Sequence, residues 1–281
     1  MSKKHFAIIG HPVGHTILPF IHKRLLELAE IDATYEVFNI SPYNLSAAYK
    51  TLCKFDGFNV TIPHKYTIIS LLDGLSKKAT MSASVDTVKN VNGKSIGYTT
   101  EPTGFLNALA ASDIDLKGKV VIVGAGGVSR TLAFETTLRG CATEIAVRPK
   151  NIELASILAG DIRSRAFYPQ INTCYIDCIK GPIDLLINAT PCGMYPKTDE
   201  IPIPLEIIKQ CKAVFDAVYI PAETKLLKTA NEYGLKSLGG LSMLISQAVE
   251  TQKIWNSVEF KENDLAELYK DAQKEIERLF T

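Results

Sequence analysis

Residues 118–139, GKVVIVGAGGVSRTLAFETTLR, constrain this chain more than any other stretch. Val120–Val123 is an apolar strand, and the glycines that follow open a helix. Gly124 permits the tight turn, Gly126 and Gly127 leave the backbone bare, and the small Ser129 lets helix and strand pack closely. The helix start presents free N–H groups and a partial positive charge. Strand, turn and helix in this order predict a seat for the pyrophosphate of a dinucleotide. The bland alternative is a tight turn that holds no ligand. About 20 residues further on, where an acid would favour an unphosphorylated ribose, the sequence reads AVRPKN. Arg148, with Lys150 beside it, suits a ribose 2′-phosphate, so NADP is expected in preference to NAD.

With 281 residues the chain has room for about two domains. Lys and Arg total 31 against 30 Asp and Glu, a net charge of +1. This near balance argues against a general nucleic-acid binder, which needs a basic excess. No apolar run reaches the ~20 residues of a membrane span. The opening MSKKHFAIIGHPVGH has no apolar core of a secretion signal. The six cysteines, Cys53, Cys141, Cys174, Cys178, Cys192 and Cys211, form no CxxC pair and no zinc spacing. Reduced thiols in a cytoplasmic protein without a bound metal are the expectation.

Periodicity gives the class. HFAIIG, ATYEVFNI and GFNVTI are strands, separated by helices in PFIHKRLLELAEI and NLSAAYKTLCKF, an order that implies a mostly parallel sheet. Near residue 100 the pattern restarts. A helix begins at EPTGFLNALAAS, with Pro102 near its start. The strand of the glycine turn, TEIAVR, PIDLLINAT and KAVFDAVYIP then alternate with helices. Two helices close the chain. In the last, Leu265, Leu268, Ala272, Ile276 and Leu279 form a packing stripe.

One strand end stands out. In GFNVTIPHKY an apolar strand delivers Lys65 just beyond a proline. Desolvating a lysine is costly, so this address is a solvated loop or a working site. NVTIPHK, GYTTEPTGF, GAGGVSRT, NATPCGM, VYIPAETKLL and MLISQA, in that order over nearly the whole chain, resemble the shikimate dehydrogenase family. The resemblance implies an α/β fold: a substrate domain of residues 1–101, completed by C-terminal helices 241–281, and a Rossmann-like NADP-binding domain of residues 102–240. It implies a site in the cleft between them, with a small-molecule substrate, in a monomer or homodimer. It makes Lys65 the catalytic lysine and Glu101 its acidic partner. Thr61, Tyr219 and Gln247 match substrate-side positions. Asn188, Thr190 and Met194 match the segment that passes the nicotinamide, and Gly240 joins the cofactor set. The chemistry agrees: oxidising a secondary alcohol sends hydride to the cofactor and a proton to a base, and a lysine tuned by burial and a carboxylate serves in both directions. His15, His22 and His64 read as structural.

Departures from the family pattern cluster on the substrate side. Its H-S-x-S-P run is HTILP here, so the two serines that contact the substrate carboxylate become Thr16 and Leu18. G-A-V-N-T becomes ASVDT, which puts Asp86 among the substrate positions as a second negative charge near Glu101. N-T-D becomes TTE, placing Thr99 for an asparagine and lengthening the acid by about 1.5 Å. A lost hydrogen bond to a charged group costs about 1.5–3 kcal/mol. The expectation is an NADP-dependent dehydrogenase interconverting 3-dehydroshikimate and shikimate. The alternatives are a paralogue acting on quinate, an aminoshikimate or another cyclohexane polyol, and an NADP-binding protein without turnover.

Overall fold

The computed structural model describes residues 3–14 and 16–280; His15 lies outside them. The chain forms two compact units, Met1–Gly104 with Leu244–Glu275, and Phe105–Met243 with Ile276–Thr281. The joins thus fall at 104/105, 243/244 and 275/276, against 101/102 and 240/241 read from the sequence, which kept the chain after 240 wholly with the first unit.

The first part of the chain runs β1 (Lys4–Gly10), α1 (Leu18–Leu28), β2 (Ala33–Asn39), α2 (Leu45–Leu52), β3 (Gly57–Val60), the single turn α3 (His64–Thr67), β4 (Gly74–Leu75), α4 (Lys77–Ser82), β5 (Thr87–Val91), β6 (Lys94–Tyr98) and α5 (Glu101–Ala111). Its sheet has the order β2-β1-β3-β5-β6-β4. β1 pairs parallel with β2 and β3, while β5 runs antiparallel to both β3 and β6. The β5–β6 hairpin escapes the periodicity reading. Its signal is the dipeptide Asn92-Gly93, both with positive φ (51° and 74°), which makes the two-residue turn whose twist suits a hairpin. Ala7, Ile9, Phe58, Val60, Ile68, Val85 and Val88 form the core on one side.

The other side is aromatic. Phe6 stacks on Trp255 at 4.4 Å between centroids, and His22 stacks on Tyr35 at 4.5 Å. Trp255 lies on α10 (Gly240–Asn256) and donates Nε1–H to the Val88 carbonyl at 2.9 Å. Gly57 is required here, because a Cβ would run into the Trp255 indole. Asn59, buried in β3, accepts from Tyr35 Oη–H and donates to Thr87 Oγ1 and the Asp86 carbonyl.

The second part runs β7 (Lys119–Val123), α6 (Gly127–Leu138), β8 (Ala142–Val147), α7 (Ile152–Arg165), β9 (Ile171–Tyr175), β10 (Ile183–Asn188), α8 (Leu205–Ile208), β11 (Cys211–Asp216), α9 (Lys225–Glu232) and β12 (Lys236–Gly239). All its strands are parallel, in the order β12-β11-β10-β7-β8-β9. This is the doubly wound order, with the glycine turn on a central strand. Val120–Val123 and Leu185–Ile187 are buried throughout, as parallel strands covered on both faces must be. β9 and β12, edge strands with polar residues, also escape the periodicity reading. In α11 (Glu262–Phe280) the expected stripe is buried at Leu268, Ala272 and Ile276, but Leu279 is 46% exposed.

His22 is fully buried; its Nδ1 accepts from Gln252 Nε2 at 2.9 Å, and burial pushes its pKa down to about 3. Between about pH 6.5 and 3 the unfolded chain therefore binds a proton that the folded one does not. Stability falls as pH falls through that window, by at most ~1.4 kcal/mol per pH unit from this group. Urea unfolding at pH 7.5, 6 and 5, followed by the fluorescence of Trp255, the sole tryptophan, should show a shallower pH slope for His22→Gln than for the wild type.

Candidate functional site

Lys65 is held by its backbone before its side chain does anything. β3 lies between β1 and β5 with all four residues buried. At its end, Thr61 N–H donates to the Ile9 carbonyl and His11 N–H to the Ile62 carbonyl, both within 2.9 Å. Gly10 clears the way, since a Cβ there would strike the Thr61 methyl group. The turn α3 is then pinned twice. The buried His64 donates from Nε2 to the Ile40 carbonyl at 2.6 Å, and Val85 N–H donates to the Lys65 carbonyl at 2.9 Å. The structural reading of His64 fits this geometry. The Lys65 ammonium meets Glu101 Oε1 at 2.5 Å, with the two side chains only 13% and 6% exposed. A charge pair this buried is held by mutual neutralisation, and removing one partner strands the other.

Glu101 is the first residue of α5, and the helix start is tied to Asp86. The Asp86 carboxylate accepts from Thr100 N–H at 2.8 Å, Glu101 N–H at 3.0 Å, and the hydroxyls of Thr87, Thr99 and Thr100 at 2.8, 3.1 and 2.9 Å. A carboxylate offers about four lone-pair directions. Asp86 is also 6% exposed. The expectation that Asp86 contacts substrate and repels an anion is therefore corrected: its acceptors are spent on protein donors.

Thr16 Oγ1 accepts from Leu18 N–H at 3.2 Å, which leaves its hydroxyl hydrogen to donate elsewhere. Leu18 opens α1 and is half-buried. Gln247, on α10, has a buried Oε1 with no hydrogen-bond partner among the described residues. A stranded buried acceptor costs about 1–3 kcal/mol, so this oxygen is an observation that asks for a ligand.

In the second unit Gly124 takes φ +109°, and a Cβ there would meet Thr190 Cγ2 at 2.8 Å and the Ala189 carbonyl at 3.1 Å. Gly126, by contrast, faces open space. Gly127 begins α6, and Ser129 is buried beneath the turn. A depression of about 230 Å³ beside them is lined by Ala125, Gly126, Gly127, Arg130, Leu154, Ile157 and Leu158. Arg148 and Lys150 are exposed just beyond β8, where the chain has no acid. An open glycine, a helix start and two exposed cations fit a phosphorylated dinucleotide.

Asn188 differs from expectation. It is fully buried: its amide donates to Asp216 Oδ1 and the Cys192 carbonyl, and its Oδ1 accepts from Thr190 N–H and Oγ1–H. It shapes the 188–192 turn and has no free surface for a cofactor. Thr190 is half-buried and Met194 43% exposed on that segment. Tyr219 is half-buried just after β11. Gly240 is glycine because a Cβ would collide with the Ala217 carbonyl carbon at 2.7 Å. Sequence reasoning missed Asp216, whose only signal is an acid at the end of an apolar strand. It is fully buried, accepting from Asn188, Val218 N–H and Thr224 Oγ1–H, and burial pushes its pKa up to about 6. It thus joins the ends of β10 and β11 to the start of α9.

These features define a dinucleotide-binding α/β protein with a buried lysine–carboxylate pair. A family model described as the shikimate dehydrogenase substrate binding domain matches residues 8–88. Shikimate dehydrogenase (NADP(+)) of Caldanaerobacter subterraneus subsp. tengcongensis is 36% identical over 94% of this chain and 95% of its own length. A crystal structure of a shikimate dehydrogenase in complex with NADP+ has 35% identity and a TM-score of 0.88, covering 96% of this chain and 95% of that one. The Thermus thermophilus enzyme in complex with NADP(H) and shikimate has 30% identity and a TM-score of 0.85, covering 96% and 99%. The chain belongs to the shikimate dehydrogenase family.

Asp216→Ala would strand three buried donors at about 1–3 kcal/mol each before relaxation. A loss of about 2–4 kcal/mol in calorimetric stability is expected, with a smaller loss for Asp216→Asn, which keeps one acceptor oxygen.

Proposed function

We propose that this chain is an NADP-dependent oxidoreductase that interconverts 3-dehydroshikimate and shikimate, with Lys65 as the proton-transfer group and Glu101 as its partner. The observation that carries the reading is the buried Lys65–Glu101 contact at the end of β3, where Lys65 lies within the stretch that matches the substrate-binding family model. In the oxidative direction the substrate's hydroxyl proton passes to the Lys65 amine as the C–H hydrogen leaves with its electron pair. In the reductive direction Lys65 returns a proton to the forming alkoxide. NADP, when bound, supplies the acceptor or donor of that hydride.

Glu101 neutralises the ammonium and fixes its direction, so the amine does not spend its donors on solvent. The unpaired Gln247 Oε1 accepts a ring hydroxyl, and Thr61 and Tyr219 supply further polar contacts. The Thr16 hydroxyl donates to the substrate carboxylate, while Leu18 contributes apolar contact alone. Gly124, Gly126, Gly127 and Ser129 form the pyrophosphate seat. Arg148 and Lys150 hold the 2′-phosphate. Thr190, Met194 and Gly240 border the nicotinamide half, with Asn188 setting the turn from beneath. The unit of Met1–Gly104 with Leu244–Glu275 takes the substrate role, and the unit of Phe105–Met243 with Ile276–Thr281 the cofactor role. Six unpaired thiols suit a cytoplasmic enzyme of aromatic amino acid biosynthesis, acting as a monomer or homodimer.

Reduced-cofactor absorbance with purified protein, NADP and shikimate tests the activity; absence of turnover would overturn it. Lys65→Ala should lower kcat by about 10²–10⁴-fold while the NADP dissociation constant stays within about threefold. Arg148→Ala combined with Lys150→Ala should raise the KM for NADP by roughly tenfold or more and leave that for NAD nearly unchanged, as steady-state kinetics with each cofactor would show.

A further inference from the structure

We propose that Asp86 is the positioning residue of the proton-transfer pair: its carboxylate pins the first turn of α5 and thereby sets Glu101 against Lys65. This rests on the reading that Lys65 and Glu101 carry the proton transfer.

The geometry gives the route. Helix starts leave their first N–H groups without intrahelical partners. In α5 the second residue is Pro102, which has no N–H at all. That leaves the N–H groups of Thr100 and Glu101, which have no helical carbonyl before them, to find an external acceptor, and both point at Asp86. The negative carboxylate also faces the positive end of the helix. Asp86 is itself anchored by its backbone. Its N–H donates to the Tyr98 carbonyl at 3.0 Å, and its carbonyl accepts from Val60 N–H at 2.8 Å and from Asn59 Nδ2. Strand β3, which leads to Lys65, and the helix that begins with Glu101 are thus tied to one residue on opposite sides.

The donor set explains why the group is a carboxylate. Five donors converge on it. An asparagine of the same shape would turn an NH₂ towards some of them and leave an N–H or hydroxyl unpaired. Two departures from the family pattern are then one compensated change. Where that pattern has asparagine at both positions, this chain has an acceptor-only Asp86 and, at Thr99, a hydroxyl that donates to it at 3.1 Å. The third departure follows: Glu101 is one methylene longer, yet still reaches the Lys65 ammonium at 2.5 Å from a start fixed by Asp86.

Asp86→Asn, Glu101→Gln, their combination and Thr99→Val test this in the full chain with NADP and shikimate. For Asp86→Asn, kcat should fall about 10–100-fold with the shikimate KM within about threefold, since a ~1 Å misplacement costs up to ~10²-fold. Once Glu101 is glutamine, adding Asp86→Asn should cost less than about twofold more, because Asp86 acts through Glu101. Thr99→Val removes one donor without burying a new polar group and should lower kcat a few-fold in the same direction. It carries the test should Asp86→Asn fail to fold. A raised KM with kcat intact would make Asp86 a substrate ligand and overturn the proposal, as would fully additive losses or an unchanged kcat in Thr99→Val. Amide exchange at Thr100 and Glu101 in the ligand-free protein reads the pinning without turnover. It should quicken by roughly tenfold or more in Asp86→Asn, and unchanged protection overturns the proposal. A wild-type protein inactive on shikimate but showing this exchange difference would locate the failure in the assigned activity instead.

Discussion

The ammonium of Lys65 is the constraint around which the first unit is organised. A charge this shielded from water has to be compensated on the spot, and Glu101 does so directly. Compensation at a fixed distance then demands that both backbones be fixed. The parallel β1–β3 pairing, the His64 bond to the Ile40 carbonyl and the Val85 bond to the Lys65 carbonyl secure one side. Asp86 secures the other. Polar residues buried in β3 and the following hairpin, Asn59 and Thr87, continue the same network to Thr251 on α10.

The second unit solves a comparable problem with an acid. Asp216 collects donors from three segments that would otherwise end as separate loops at the carboxyl edge of a parallel sheet. Ligands of doubly wound sheets sit at that edge, so its loops must be held without using the groups that face the ligand. Asn188 illustrates the division of labour. Its side chain is spent inward, and the backbone it shapes is what Thr190 and Met194 ride on.

Much of this was legible in the sequence because it is local. The glycine turn depends on residues within six positions of one another, and the strand-proline-lysine order at 57–65 is contiguous. What escaped depends on partners far along the chain. Asp86 reads as an extra charge because nothing at positions 84–88 reveals that donors arrive from 99–101. Asn188 reads as a cofactor contact because its burial is decided by Asp216, 28 residues later. The β5–β6 hairpin is the exception, since Asn92-Gly93 was a local signal. Its strands mix Lys89, Asn90, Lys94 and Ser95 with few apolar residues, which hides the alternation.

The aromatic face of the first sheet is completed from far away in sequence. Phe6, Tyr35 and His22 emerge early, whereas Trp255, which covers them and caps the Val88 carbonyl, follows Gly104 by some 150 residues. At ribosomal speeds of about 5–20 residues per second, the nascent sheet waits roughly 8–30 seconds for its lid. During that interval an apolar, aromatic sheet face stands open to other chains, so the vulnerable species for chaperones to shelter is the unfinished N-terminal segment rather than the released polypeptide.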